Sequence, residues 1–215
     1  MLKFIILTIL LSLAANGSAV AKQDNDSLLK QIDELHQMYA DYNFIDNAYD
    51  HMHSVRKELS EALMANFYLQ SKATPDGSNV YMASKFSEDL SFKLSEMELS
   101  KNALNQRKVL PQLEEFKKIV NQMLDNVYKD YSNYQKIKTV MAIINDSNLR
   151  ETLKVTGSDE EKQIVQSNPT IETVMMERTN IDKELEGLEE KLSQEQDKLI
   201  EYHKKLAESI KADIS

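Results

Sequence analysis

The sequence predicts an all-α fold: an elongated antiparallel helical bundle or coiled coil of about four long helices with a small helical cap, after an N-terminal signal peptide. Three observations lead there. Apolar residues recur at steps of three and four through most of the chain, the period of a helix face. Turn-formers are scarce, with 4 glycines and 3 prolines in 215 residues, too few for a many-stranded fold. The composition, 41% hydrophobic and 28% charged, is too apolar and too periodic for disorder.

Residues 1–21 read as a secretory signal. Lys3 gives the positive start, Phe4 to Ala15 the apolar run, and Ala19-Val20-Ala21 the small-residue cleavage site, ahead of Lys22-Gln23-Asp24. The run is short for spanning a bilayer. The expectation is export, cleavage after Ala21, and a secreted or periplasmic mature chain, residues 22–215, forming one domain.

The first long helix is expected over about 26–71, with Asp24, Asn25, Asp26 or Ser27 as cap. Its stripe is Leu28, Ile32, Leu35, Met38, Tyr42, Ile45, Tyr49, Met52, Leu59 and Leu63, interrupted by Arg56. Residues 73–79, with Pro75-Asp76-Gly77 at their centre, carry a turn signature. A second helix, about 80–109, has the weakest stripe: Ala83, Phe86, Leu90, Leu94, Met97 and Leu104. Pro111 marks the next boundary, where no glycine or asparagine offers a loop. A tight turn and one kinked helix over 80–144 are both compatible with it. The third helix, about 112–144, has Leu113, Phe116, Val120, Met123, Val127, Tyr134, Ile137, Met141 and Ile144 on its seam, with Asp130 intruding.

Two short pieces follow within 149–166, joined where Ser158 and Glu161 have the spacing of a capping box. The last helix, about 170–213, opens with Asn168 as expected cap and Pro169 at the first helical position. Read in sevens it has two seams: Ile171, Arg178, Leu185, Leu192, Leu199, Leu206, and Val174, Ile181, Leu188, Glu195, Tyr202, Ser209. Only Arg178, Glu195 and Ser209 break them. Such a seam needs cover from another helix. The first helix, of matching length, is the natural core partner, and a second copy of the chain is the alternative. The apolar seam residues are thus the expected interaction set.

Charge and chemistry exclude more than they assign. With no cysteine, disulfides, thiol catalysis and thiolate metal sites are ruled out. The formal charge is −9, and loss of a leader holding one lysine and no acid makes it one unit more negative. A chain this acidic is a poor ligand for nucleic-acid backbones and anionic lipid. No stretch of the mature chain has transmembrane length. There is neither a glycine-framed nucleophile turn nor a phosphate-cradling glycine loop.

Asp46, Asp50 and His53 share one helical stripe and form a candidate divalent-metal set. Lys57, one turn on, answers the carboxylates as a counter-charge, and a solvated acidic face is the plainer reading. Asp33/His36 and Asp50/His53 share an Asp-x-x-His spacing, similar to the Glu-x-x-His element of di-iron bundles. Both copies lie on one helix, and His203, the remaining histidine beyond residue 53, has Ile200 where its acid should be, so that reading fails. Tyr39, Tyr42, Tyr49 and Tyr128, Tyr131, Tyr134 read as core-edge residues with hydroxyls at the rim, or as a binding stripe. In a eukaryotic host Asn25 and Asn145 would be glycosylation acceptors.

The sequence reading is therefore a non-enzymatic, cofactor-free, exported interaction or structural protein acting through protein–protein contacts. Secretion- or pilus-associated subunits, spacers and adhesins are built this way. A periplasmic holdase-like chaperone, and after it a metal-binding bundle, are the alternatives.

Overall fold

The computed structural model describes residues 25–71 and 78–214. Among them are six helices and no strand: α1 (Asn25–Ser71), α2 (Ser78–Gln106), α3 (Pro111–Asn145), α4 (Ser147–Thr156), α5 (Asp159–Ser167) and α6 (Ile171–Ile214). The leader and the Pro75-Asp76-Gly77 turn lie outside the described residues.

The helices pack as a bundle, but the centre is not the expected pair. α6 pairs most extensively with α3, α1 lies chiefly on α2 and α3, and the α1–α6 interface is minor. The cause is the width of the apolar face of α3. Besides its seam it buries Ile119, Leu124 and Val140, so it is covered from several sides where a two-residue stripe would be covered from one. Cross-helix contacts give the directions. Lys129 meets Glu184 and Lys136 meets Glu177, so α6 runs antiparallel to α3. Ser54 meets Lys93 while Asp41 meets Arg107, so α2 runs antiparallel to α1. Tyr42 lies against Phe116 and Asn66 beside Tyr134, so α1 and α3 run parallel.

Most sequence stripes are the buried ones. On α1, Leu35, Met38, Tyr42, Ile45, Met52, Leu59 and Leu63 are in the core. Val55, fully buried, takes the place that Arg56 held in the stripe, and Arg56 swings to the rim. On α2, Leu90, Leu94, Met97 and Leu104 are buried, and the helix ends at Gln106. Ile144, placed on the α3 seam, is exposed. Burial of a side chain of this size is worth about 1.5–3 kcal/mol.

Residues 107–110 are not helical, so Pro111 starts a new helix after a tight turn, and no kinked helix spans 80–144. The capping box forms: Ser158 Oγ accepts from Glu161 N at 3.2 Å and Glu161 Oε2 accepts from Ser158 N at 2.8 Å. The start of α6 differs from expectation. Asn168 adopts a left-handed conformation (φ 49°) and closes α5. Thr170 is the cap instead, its Oγ1 accepting from Thr173 N at 3.2 Å while Thr173 Oγ1 accepts from Thr170 N at 3.0 Å.

The buried face of α6 also drifts. It follows Val174, Ile181, Leu185, Leu188, Leu192 and Leu199, then passes to His203, Leu206, Ala207 and Ile210. The expected Tyr202 is half-buried and Ser209 exposed. A straight helix lags a seven-residue repeat by ~20° per heptad, which over five heptads is one residue. Val174 and Ile210 are ten turns apart at 3.6 residues per turn. α6 thus behaves as a nearly straight helix, and Ile210 takes the place that strict heptads assign to Ser209.

Candidate functional site

Two polar clusters, each built on a buried aspartate, link the helices. The first holds the α2–α3 connector. Asp41, on the inner face of α1, has no exposed surface. Its Oδ1 accepts from Arg107 Nε at 3.2 Å, Arg107 Nη2 at 3.0 Å and Gln37 Nε2 at 2.8 Å. Its Oδ2 accepts from the backbone N–H of Leu110 at 3.1 Å, immediately before α3 begins. The Arg107 guanidinium lies 4.7 Å from the centroid of the Phe44 ring, and its carbonyl accepts from Lys117 Nζ at 2.9 Å. A tight turn without glycine or asparagine leaves backbone groups in need of partners, and the carboxylate of another helix supplies one.

The second cluster gathers three residues that interrupt sequence stripes on three different helices: Arg56, Asp130 and Arg178. Asp130 is 4% exposed. Arg178 Nε lies 3.2 Å from Asp130 Oδ1, with its N–H poorly aimed, so the contact is an ion pair without an aligned hydrogen bond. Arg56 Nη2 reaches Asp182 at 3.0 Å and Arg56 Nη1 reaches Glu189 at 3.7 Å. Burial pushes the Asp130 carboxyl above its usual range; the Arg178 charge opposes this and Asp182 adds to it. The ion pair therefore does not repay the desolvation of the acid.

Tyrosines sit at the core edge, as the plainer reading expects. Tyr42 and Tyr134 are 6% exposed, and Tyr39, Tyr49, Tyr128 and Tyr131 are partly buried against the core. Tyr42 Oη accepts from Gln196 Nε2 at 2.9 Å. Tyr202 Oη donates to Glu34 at 2.6 Å, and that hydrogen bond, with burial, raises its pKa to about 12.

Asp46, Asp50 and His53 do share a stripe of α1, and the exposed His53 ring stands edge-on to Tyr49 at 4.4 Å. Among the described residues no group of three histidine or carboxylate side chains converges on a point where a metal ion would sit. The seam set of α6 is spent inside the chain. Val174, Ile181, Leu185, Leu188, Leu192, Leu199 and Leu206 are buried, and Ile171 and Tyr202 partly so, against helices of the same copy. That face is covered within the chain, with Leu188 at the edge of the groove between α3 and α6. His203 lies off both heptad seams, yet it is 1% exposed, its Nε2 has no partner among the described residues, and burial lowers its pKa.

No family model, curated protein or solved structure matches the chain. Three concavities of 560–750 Å³ are open grooves along the helices: Gln122 to Lys129 with Lys183 to Lys191, Asn105 to Asp125, and His53 to Ser60 with Asp130 and Arg178 to Glu189. Among the described residues, no helix is long and apolar enough to cross a membrane.

Proposed function

We propose that this chain is an exported interaction or structural protein of the cell envelope or extracellular space, working through protein–protein contacts, without catalysis or a cofactor. In this reading the leader is removed after Ala21. The four long helices form an elongated antiparallel bundle, α1 and α3 at its centre and α4–α5 capping one end. The chain serves as a rod, in the manner of a secretion- or pilus-associated subunit, a spacer or an adhesin.

The observation that carries the reading is the form of the concavities. They are open grooves between helices, the shape that receives a helix or an extended segment, whereas small-molecule sites enclose most of their ligand. The buried polar groups support it. Asp41 is committed to Arg107 of the α2–α3 connector and Asp130 to Arg178 of α6, so both carboxylates are occupied within the chain.

The test is in-cell photo-crosslinking from the outer helix faces, with the photoreactive residue at position 92, 129 or 183. One discrete adduct, to another protein or to the chain itself, is the expected result. Absence of any discrete adduct from all three positions, with the protein folded and exported, would overturn the reading.

A further inference from the structure

We propose that two copies of this chain associate by docking the outer face of α2 of one copy into the α3–α6 groove of the other, Phe92 filling the space left by Gly187. The proposal rests on the interaction reading above and names the partner as a second copy.

On α2, Glu88, Phe92 and Glu96 step by four residues along one stripe, and Leu99 continues it. Phe92 is 64% and Leu99 70% exposed, large apolar groups open to solvent. Among the described residues Glu88 and Glu96 have no ion-pair partner.

On α6, Lys183, Gly187 and Lys191 step by four in the same way and line the 750 Å³ groove against α3. Among the described residues Lys183 and Lys191 are likewise unpaired, whereas Lys129 beside them is engaged by Glu184 and Asp125 by Lys101. A side chain added at Gly187 would meet nothing within 4 Å. Glycine is a poor residue for the middle of a long helix, and no packing inside the chain requires it here. It leaves a gap between two cations. The floor of the groove holds Leu188 and the side chain of Asn126, which is 4% exposed.

The two stripes are complementary at equal spacing. Glu-x-x-x-Phe-x-x-x-Glu sets a ring between two anions roughly 12 Å apart; Lys-x-x-x-Gly-x-x-x-Lys sets a gap between two cations at the same separation. Each motif reads the same in both directions, so the match holds for parallel and antiparallel docking. Within one copy α2 and α6 share no substantial interface, so both faces remain available.

Sedimentation velocity across a wide concentration range tests this on four proteins: the wild type, Glu88→Lys/Glu96→Lys, Lys183→Glu/Lys191→Glu, and all four changes together. The wild type is expected to associate, each charge reversal to weaken association by about tenfold or more, and the fourfold variant to recover most of it. Gly187→Leu is expected to abolish association with helix content unchanged by circular dichroism. A wild type monomeric at every concentration overturns the proposal; if it instead binds a glutamate-rich peptide in this groove, the occupant is another, acidic protein. Association that survives every reversal overturns this interface and leaves the interaction reading standing. A monomer that also gives no cross-linked adduct removes both.

Discussion

At the scale of single residues, the buried ionisable groups make opposed contributions to acid stability. Asp130 has a raised pKa in the folded chain, so the folded state takes up its proton more readily than the unfolded state. Its ionised form costs stability above the raised value, and the cost is relieved as pH falls through that value toward 3.8. His203 runs the other way. Its folded pKa is depressed below 6.5, so stability is lost as pH drops below 6.5 and the unfolded state alone gains the proton. Urea midpoints measured between neutral and mildly acid pH check both signs. Relative to wild type, His203→Leu should gain as pH falls, and Asp130→Asn should lose ground. Asp41 is a different case, because its carboxylate also satisfies a backbone N–H. Asp41→Ala should cost about 2–3 kcal/mol, as the loss of a buried acceptor for a guanidinium and an amide implies. Equilibrium unfolding measures it, and a loss below about 0.5 kcal/mol, the level of an ordinary surface change, would show that the connector is held by other contacts.

Among the helices, two glycines make opposite predictions. Gly187 lies inside α6 with open space where a β-carbon would stand, so Gly187→Ala should raise stability by up to about 1 kcal/mol. Gly157 closes α4, where an added Cβ would stand 2.5 Å from the Leu153 carbonyl oxygen. Gly157→Ala should destabilise the α4–α5 corner by roughly 1–2 kcal/mol. Thermal melts followed by circular dichroism read both. The helices themselves are largely legible in the sequence, because a 3.6-residue period and a proline or a capping box are local signals. Their pairing is not. Equal length suggests α1 and α6 as partners, but cover is set by how wide a face needs covering, and the full face of α3 exceeds its seam. The start of α6 is hard to place for a similar reason: Asn168 and Thr170 are both good caps, and the left-handed backbone at Asn168, which decides between them, leaves no mark on composition.

For the whole molecule, the α6 seam closes within one chain. Leu188→Lys with Leu192→Lys should therefore collapse the fold, a cost of several kcal/mol for two charges placed where 9% and 7% of each leucine is exposed. Loss of helicity at 25 °C is the expected readout; a well-folded, cooperatively melting variant would return this seam to the surface. The polar clusters show where sequence reading runs out. Arg56, Asp130 and Arg178 stand out one by one as breaks in apolar stripes, yet nothing along the chain says that they meet. Asp41 does not stand out at all, one carboxylate among 35 acidic residues. A clue exists in the connector, which lacks glycine and asparagine and so has to borrow an acceptor from elsewhere.

The straightness of α6 bears on how a bundle built on it can change length over evolutionary time. Because its contact face advances by one residue in every five heptads, removing a single heptad rotates everything beyond the cut by ~20° relative to its neighbours. Removing 18 residues, five whole turns, restores the alignment and shortens the helix by about 27 Å. Each long helix crossing that level must be cut by the same amount. If the molecule sets a distance between two bodies, that distance is adjustable in coarse coordinated steps, and relatives of intermediate length should betray themselves by a compensating twist or an offset in one helix.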